Sequence, residues 1–335
     1  MVVNWNCPNC GADLKFDINK QLLCCDHCGY TEEVSEKQDG IKESADDDGR
    51  FHCPSCGAVY EAGQYDMSGI CTYCGAPLII TERMEGDYRP VKILTFTYDK
   101  SAADAAFIKW CDRGKLTPKE FKKKSILNYI RPLYAPYWLS NSTVNTVMSA
   151  RAERVHTYIA GDEEVIETEY YDVYRDMEMS YGDVDYDGAI TLDDEEMYKL
   201  DPYSFEALKD FVSPYLAGYE ARQYDQGPDE IIPLIQKRVR KYAEDYVRNS
   251  VTGYSSVQVT SMETRFLDMD MTFVLLPLWF FEYRYRGEVY NFMMNGQTGK
   301  VVGEPPVSGK RTAAWFFGIF AIVFIIVLLI GGFFL

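Results

Sequence analysis

Eight of the chain's ten cysteines fall into two copies of one pattern. The first is Cys7-x2-Cys10, fourteen residues, then Cys25-x2-Cys28. The second is Cys53-x2-Cys56, fourteen residues, then Cys71-x2-Cys74, each ligand 46 positions after its counterpart. Two closely spaced thiolate pairs on a short loop bind a tetrahedral metal ion, with metal–sulfur distances near ~2.3 Å for zinc. A glycine follows the last cysteine of every pair, at Gly11, Gly29, Gly57 and Gly75. Glycine accepts the positive φ that turns backbone N–H groups toward sulfur. Cys24 competes with Cys25 for the third position. The repeat assigns Cys25, because Cys25 aligns with Cys71 and Cys24 with Ile70. By the same alignment His27 falls at the place of Tyr73 and is not a ligand. A site closed by four cysteines has no open position for substrate, so the two ions are expected to be structural zinc. Rubredoxin-like iron and a disulfide switch draw on the same residues.

A second metal pattern lies in "GDVDYDGAITLDDEE". Asp183, Asp185, Asp187 and Asp194 stand at positions 1, 3, 5 and 12 of a calcium loop, with Gly188 at position 6 and Ala189 offering the position-7 carbonyl. Against Ca2+ stand the strand-like alternation before the run and the short reach of an Asp at position 12. An acidic turn before a capped helix explains the same residues. The chain has three histidines, His27, His52 and His156. It carries no Ser-His-Asp order, no His-Glu-x-x-His run and no phosphate loop. "NGQTGKVV" has Met294 and Val301 where a phosphate loop needs Gly and Ser or Thr, and reads as a hairpin turn. The chain is not expected to be an enzyme.

These sites need positioning elements. The expected organisation is a zinc ribbon over 1–34, an acidic linker over 35–50, a second ribbon over 51–82, an α+β domain over 88–306 and a transmembrane helix over 313–335. The linker is expected to tether the ribbons flexibly. In the large domain "VKILTFTYD" reads as a strand and "SAADAAFIKWCDRG" as a helix burying Cys111. "IRPLYAPYWLSNSTVNTVMSARAERVHTY" and "VIETEYYDVYRDMEM" read as long antiparallel strands. "SFEALKDFVSPYLAGYEARQY" and "DEIIPLIQKRVRKYAEDYVRNS" read as helices. "YAPYWLSNSTV" and "LLPLWFFEYRY" echo each other, which points to a duplicated unit. The fold class is α+β, with helices on antiparallel sheets. Lys115, Lys119, Lys122, Lys123 and Lys124 form a basic run, read as a solvated helix face.

Composition narrows the partners. Lys and Arg total 34 against 51 Asp and Glu, a net charge of −17. Residues 1–87 carry six Lys and Arg against sixteen Asp and Glu. Phosphate backbones and anionic lipid repel such a surface, so the ribbons are expected to face protein rather than nucleic acid. The first residues lack a signal peptide's basic and apolar regions, which predicts reduced cysteines. Ala313–Leu335 is uncharged; as a helix it spans about 34 Å, enough for a bilayer core of roughly 30 Å. Lys310 and Arg311 on its flank predict a C-terminal anchor in the cell membrane with the body in the cytoplasm. "VVGEPPVSGKRT" is expected to be a stiff spacer before the anchor.

The two CxxCG ribbons, "APYWL", "FVSPYLAGYEARQYD", "TGYSSV", "LLPLWF", "NFMMNGQTGKVVGEPPV" and the terminal apolar helix together resemble the bacterial transcription-factor-IIB-type zinc-ribbon-containing membrane proteins. The likeness runs over nearly the whole chain. It implies the eight ribbon cysteines as metal ligands and no catalytic residue. It also implies protein partners of the phage-shock-protein-A and SPFH (stomatin-like) classes at the membrane under envelope stress. The function expected is a membrane-anchored adaptor or scaffold. The alternatives are a membrane-tethered regulator that binds nucleic acid through its ribbons and a calcium or ligand sensor.

Overall fold

The computed structural model describes residues 1–36, 41–43, 50–114, 116–118, 121, 124–190, 194–285 and 287–331. In chain order its strands are β1 (Val2–Asn4), β2 (Leu14–Asp17), β3 (Leu22–Cys25), β4 (Thr31–Glu32), β5 (Ile41–Glu43), β6 (Phe51–His52), β7 (Val59–Tyr60), β8 (Asp66–Ile70), β9 (Pro77–Ile80) and β10 (Lys92–Ile93). Helices α1 (Lys100–Arg113) and α2 (Lys124–Leu127) follow, then β11 (Arg131–Ala160), β12 (Glu163–Asp187), α3 (Asp194–Lys199), β13 (Lys209–Asp210) and β14 (Glu220–Arg222). The chain continues through α4 (Pro228–Asn249), β15 (Ser256–Tyr285), β16 (Glu288–Asn295), β17 (Val301–Val302) and α5 (Gly309–Gly331). The fold is α+β, as expected. Of the lysine run, Lys115, Lys119, Lys122 and Lys123 lie outside the described residues.

The chain divides into two compact units. The first holds Met1–Pro136, Ile190–Gln223 and Leu275–Leu335. Its helix α1 starts where Asp99 accepts a hydrogen bond from the Ala102 amide at 2.9 Å, satisfying one of the free donors of the first turn. Its apolar residues recur at helical spacing, so Ala103, Phe107, Trp110 and Cys111 are buried together. Phe107 meets Trp110, Phe281 and Phe292 with ring centroids 5.5, 5.3 and 5.2 Å apart. β15 and β16 pair antiparallel from Leu278↔Asn295 to Tyr285↔Glu288. The expected hairpin turn closes that end. Asn295 Oδ1 accepts from the Gln297 and Thr298 amides, and Gly299, at φ 74°, donates back to the Asn295 carbonyl.

Three local expectations for this unit need correction. "VKILTFTYD" forms a strand only at Lys92–Ile93, and Leu94 donates instead to the Leu275 carbonyl. "SFEALKDFVSPYLAGYEARQY" is not a helix. It is two short 3-10 turns and the strands β13 and β14, because Pro214 lacks an amide and Gly218 takes φ 95°. The expected spacer before α5 does not stand off the body. Trp110 Nε1 donates to the Gly303 carbonyl at 2.7 Å, the Ser308 amide to the Leu116 carbonyl at 2.9 Å, and Arg311 to the Thr117 carbonyl. Helix α5 therefore begins at Gly309, earlier than expected, with its basic first turn seated on the loop after α1. From Gly309 to Leu329 it is long and apolar enough to cross a membrane and is nowhere buried.

The second unit holds Tyr137–Ala189 and Tyr224–Val274. β11 and β12 form the long hairpin expected, in register from Tyr137↔Asp187 to Ala160↔Glu163, with one irregularity at Ser140–Ser142. α4 buries Ile231, Ile235, Val239, Ala243 and Val247, a stripe that recurs every fourth residue. Val247 packs into a cluster with Met148, Ala150, Ala152 and Val173 on one face of the hairpin. Pro233 falls inside the helix, in its second turn.

Replacing Phe107 by Ala is expected to cost about 3–5 kcal/mol, since the ring is fully buried among three aromatic neighbours. Equilibrium denaturation of the detergent-solubilised chain measures it. A loss below about 1 kcal/mol would show that this cluster is not the core of the first unit.

Candidate metal centres

Each cysteine pair sits on the same backbone turn. In the first pair the Gly11 amide donates to the Cys7 carbonyl at 2.9 Å, and the Cys7 amide to the Ala12 carbonyl at 2.7 Å. The other three repeat this, with Gly29 on Cys25, Gly57 on Cys53 and Gly75 on Cys71, at 2.8–3.0 Å. The four glycines take φ 78°, 78°, 73° and 77°, the left-handed region where a side chain is strained. No added Cβ would meet an atom within 4 Å at any of them, so conformation rather than space demands glycine. The turn aims amides at sulfur. Cys25 Sγ accepts from the Cys28 and His27 amides, and Cys71 Sγ from the Cys74 and Tyr73 amides.

Short antiparallel strands hold the turns. The Cys25–Cys28 turn joins β3 to β4, Cys53–Cys56 joins β6 to β7, and Cys71–Cys74 joins β8 to β9. Cys7–Cys10 follows β1 and closes on an Asn6↔Asp13 bridge. The first cysteine of each turn is buried and the second exposed. Cys53 and Cys71 belong to a core with Val2, Phe51, Leu78 and Ile80, so this site anchors a small hydrophobic cluster directly.

The sulfurs gather as the spacing predicts. Cys7, Cys10, Cys25 and Cys28 form one group and Cys53, Cys56, Cys71 and Cys74 the other, with all Sγ atoms of a group within 4.8 Å of one another. Cys7–Cys28 and Cys10–Cys25 are 3.5 Å apart, Cys53–Cys74 3.6 Å and Cys56–Cys71 3.8 Å. Four sulfurs at about 2.3 Å from a tetrahedral ion stand about 3.8 Å from one another. The same distances lie far from a disulfide bond of about 2.05 Å, and none of the ten cysteines is in a disulfide. Both sites fit a metal ion, and two zinc ions suit them.

The electrostatics agree. The Cys28 amide, outweighing the burial that opposes it, holds the Cys25 thiol down at about 7. Burial opposes the Cys71 thiolate, but the Cys74 and Tyr73 amides and neighbouring thiols hold it at about 7 as well. Cys10 and Cys74 are pushed up to about 12. The Ala12 and Ala76 amides work against that rise, while burial and the crowded sulfurs drive it. Four sulfurs this close shed their first protons readily and resist losing the last, unless a cation takes the protons' place.

Cys24 lies outside the group, as expected. It is buried on β3 and its thiol points to the Leu22 carbonyl at 3.8 Å. His27 is exposed and no ligand. The structure lends no support to the calcium reading of the aspartate run. Asp185 and Asp187 lie in extended β12 opposite Leu139 and Tyr137, and Asp187 Oδ1 accepts from the Ala189 amide. Asp183, at φ 52°, sits at the hairpin's irregularity and donates its amide to Asn141 Oδ1 at 3.2 Å. Asp194 opens α3. A strand cannot wrap its oxygens around an ion, and among the described residues the only groups arranged for a metal are the two cysteine sets.

What sequence reasoning missed is how the ribbons are held. β1 of the first ribbon pairs with β9 of the second, Val2↔Ile80, and β5 pairs with β1, Asn4↔Ile41. Asn4 Nδ2 donates to both Asp13 Oδ1 and Ser55 Oγ, tying the two ribbons side by side. The Phe16 amide donates to the Ala217 carbonyl, and its ring meets Tyr215 edge-on at 5.1 Å. Buried Ser68 donates to the Tyr219 carbonyl at 2.8 Å, and β8 pairs with β14. While β2–β4 and β6–β7 form small sheets of their own, the expected flexible tethering therefore gives way to two cysteine modules joined through β1, β5, β8 and β9 to the large sheet of the first unit. Ile41–Glu43 of the linker is part of that sheet, while 37–40 and 44–49 lie outside the described residues.

Cys71→Ser is expected to lower the metal content from two ions per chain to one and to reduce the melting temperature. Cys24→Ala is expected to leave both ions in place. Elemental analysis with thermal melting reads both. Protons compete with metal for these sulfurs, so acidification is expected to release the ions and mild alkali to retain them. A chromogenic chelator follows the release, and release that rises with pH instead would contradict thiolate ligation.

No family model matches the chain, and no solved structure matches it. A similar protein is the "Uncharacterized protein YdjG" of Bacillus subtilis (strain 168), 40% identical over 339 residues, covering 99% of this chain and 99% of the relative. At that identity and coverage the chain belongs to the family of Bacillus subtilis YdjG.

Proposed function

We propose that this protein is a membrane-anchored adaptor, held by α5 in the cell membrane with its body on the cytoplasmic side, that recruits protein partners to that surface. The observation that carries the reading is the pairing of an unburied apolar helix with two closed four-cysteine sites on one chain. A closed tetrathiolate site binds zinc to stabilise a fold and offers no open position for catalysis. Free thiols and the basic residues Lys310 and Arg311 at the start of α5 support the cytoplasmic orientation. The resemblance to the transcription-factor-IIB-type zinc-ribbon membrane proteins supports partners of the phage-shock-protein-A or SPFH type and a role in envelope stress. The chain's charge of −17 disfavours a nucleic-acid partner.

Two measurements test the reading together. Protease digestion of sealed, inside-out and right-side-out vesicles is expected to cut the body only where the cytoplasmic face is outside. Deleting residues 309–335 is expected to release both the protein and its partner from the membrane fraction. A body protected in inside-out vesicles, or a partner whose membrane location ignores the deletion, would contradict the proposal.

A further inference from the structure

The β11–β12 hairpin has two faces, and only one is covered. Residues of β12 alternate without exception from Tyr171 to Ser180: the odd-numbered side chains are buried or half-buried and the even-numbered ones exposed. The odd face, with Tyr171, Val173, Met177 and Met179, packs on the cluster that holds Val247 of α4. Among the described residues, nothing packs on the even face. In the observed register it joins Val155 and Ile159 of β11 to Ile166, Tyr170 and Tyr174 of β12. Ile159 is 79% exposed, Tyr170 67%, Ile166 65% and Tyr174 60%. Soluble surfaces scatter such side chains singly, whereas five on one strip of sheet mark an interaction surface.

The outer part of the hairpin points the same way. From Val155 to Thr168 every residue is exposed except half-buried Val165. β15 begins only at Ser256, beside Glu153, where the Ser255 amide donates to the Glu153 carbonyl at 2.7 Å. Beyond that point two strands run on alone, and a bare two-stranded ribbon is marginal in water unless a further layer packs on it.

Charge selects the layer. The open face also carries Glu153, Glu164, Asp172, Asp176 and Glu178, interleaved with the aromatic residues. Arg151 is its one cation among the paired positions, 4.0 Å from Asp172. Asp176 accepts from Asn145 at 2.7 Å and from Tyr174 at 3.4 Å, which leaves its charge uncompensated. A second copy of the chain would set these carboxylates against their own kind, and anionic lipid or nucleic acid would be repelled. We propose that the open face of the β11–β12 hairpin is the docking surface for a partner protein, taken up by an amphipathic segment whose apolar side chains are flanked by Lys and Arg. Its apolar side covers Ile159, Ile166 and the tyrosines. Its cations pair with Asp172 and Asp176 and lie over the rings of Tyr170 and Tyr174. The proposal rests on the adaptor reading and gives that adaptor's partner a surface and a chemistry.

A photo-crosslinking amino acid placed singly at Ile166 or Tyr174 of the full-length, membrane-bound chain tests it, with the exposed positions Tyr73 on the second ribbon and Tyr246 on α4 for comparison. Illumination in host cells, followed by mass spectrometry of the joined peptides, is expected to give protein adducts at Ile166 and Tyr174 whose partner segment is apolar and rich in Lys and Arg. The double change Asp172→Lys/Asp176→Lys, at exposed positions, is expected to lower that yield about tenfold with an unchanged melting temperature. Adducts only to lipid, to nucleic acid, to a second copy or to an acidic segment would overturn the proposal, as would a yield indifferent to the charge reversal. Adducts at Tyr73 with none at Ile166 or Tyr174 would overturn this surface and leave the adaptor reading standing. No protein adduct at any position would remove both.

Discussion

Mutual repulsion among clustered thiolates is the constraint on which the front of this molecule depends. Four sulfurs held within 4.8 Å of one another in each site cannot all ionise side by side without a cation at the centre. The backbone turns lower the cost for the first sulfur of the later pairs through amides aimed at Cys25 and Cys71. A metal ion would supply the rest, and its binding energy would become folding energy. Strands of two to five residues, such as β6, β7 and β8, bury too little to hold themselves. With Cys53 and Cys71 fixed to an ion, Phe51, Leu78 and Ile80 would have a rigid partner to pack on.

That local rigidity passes into the larger sheet. β9 pairs with β1, β8 with β14, and residues 213–223 clasp both ribbons through Phe16, Ser68 and the aromatic rings of Tyr215 and Tyr219. The ribbons are thus built into the first unit rather than hung from it. The same unit seats the start of α5 through Arg311 and Ser308, so this apolar helix and the two cysteine sets belong to one compact body.

The sequence makes part of this readable. The metal sites were legible because thiolate chemistry fixes residue type, spacing and the glycine after each pair. The hairpin β11–β12 and helix α4 were legible because alternation and a four-residue stripe persist over long runs. The clasp at 213–223 was not, because "FVSPYLAGYEAR" has helix-like apolar spacing while Pro214 and Gly218 break the helix, and its contacts reach Phe16 and Ser68 far away in the chain. The pairing of β1 with β9 was equally hidden, since two short apolar segments as distant in the chain as Val2 and Ile80 carry no local mark. The aspartate run is ambiguous for a physical reason. Acids at every second residue match the first ligands of a calcium loop, and they also match one face of a strand, which is the role Asp185 and Asp187 play.

X-ray absorption at the zinc edge of the purified full-length chain tests the central claim most directly. The account predicts two zinc ions per chain, each with a single shell of four sulfurs at about 2.3 Å. A shell of nitrogen or oxygen, or a metal-free chain whose sulfurs are joined to each other at about 2.05 Å, would contradict it.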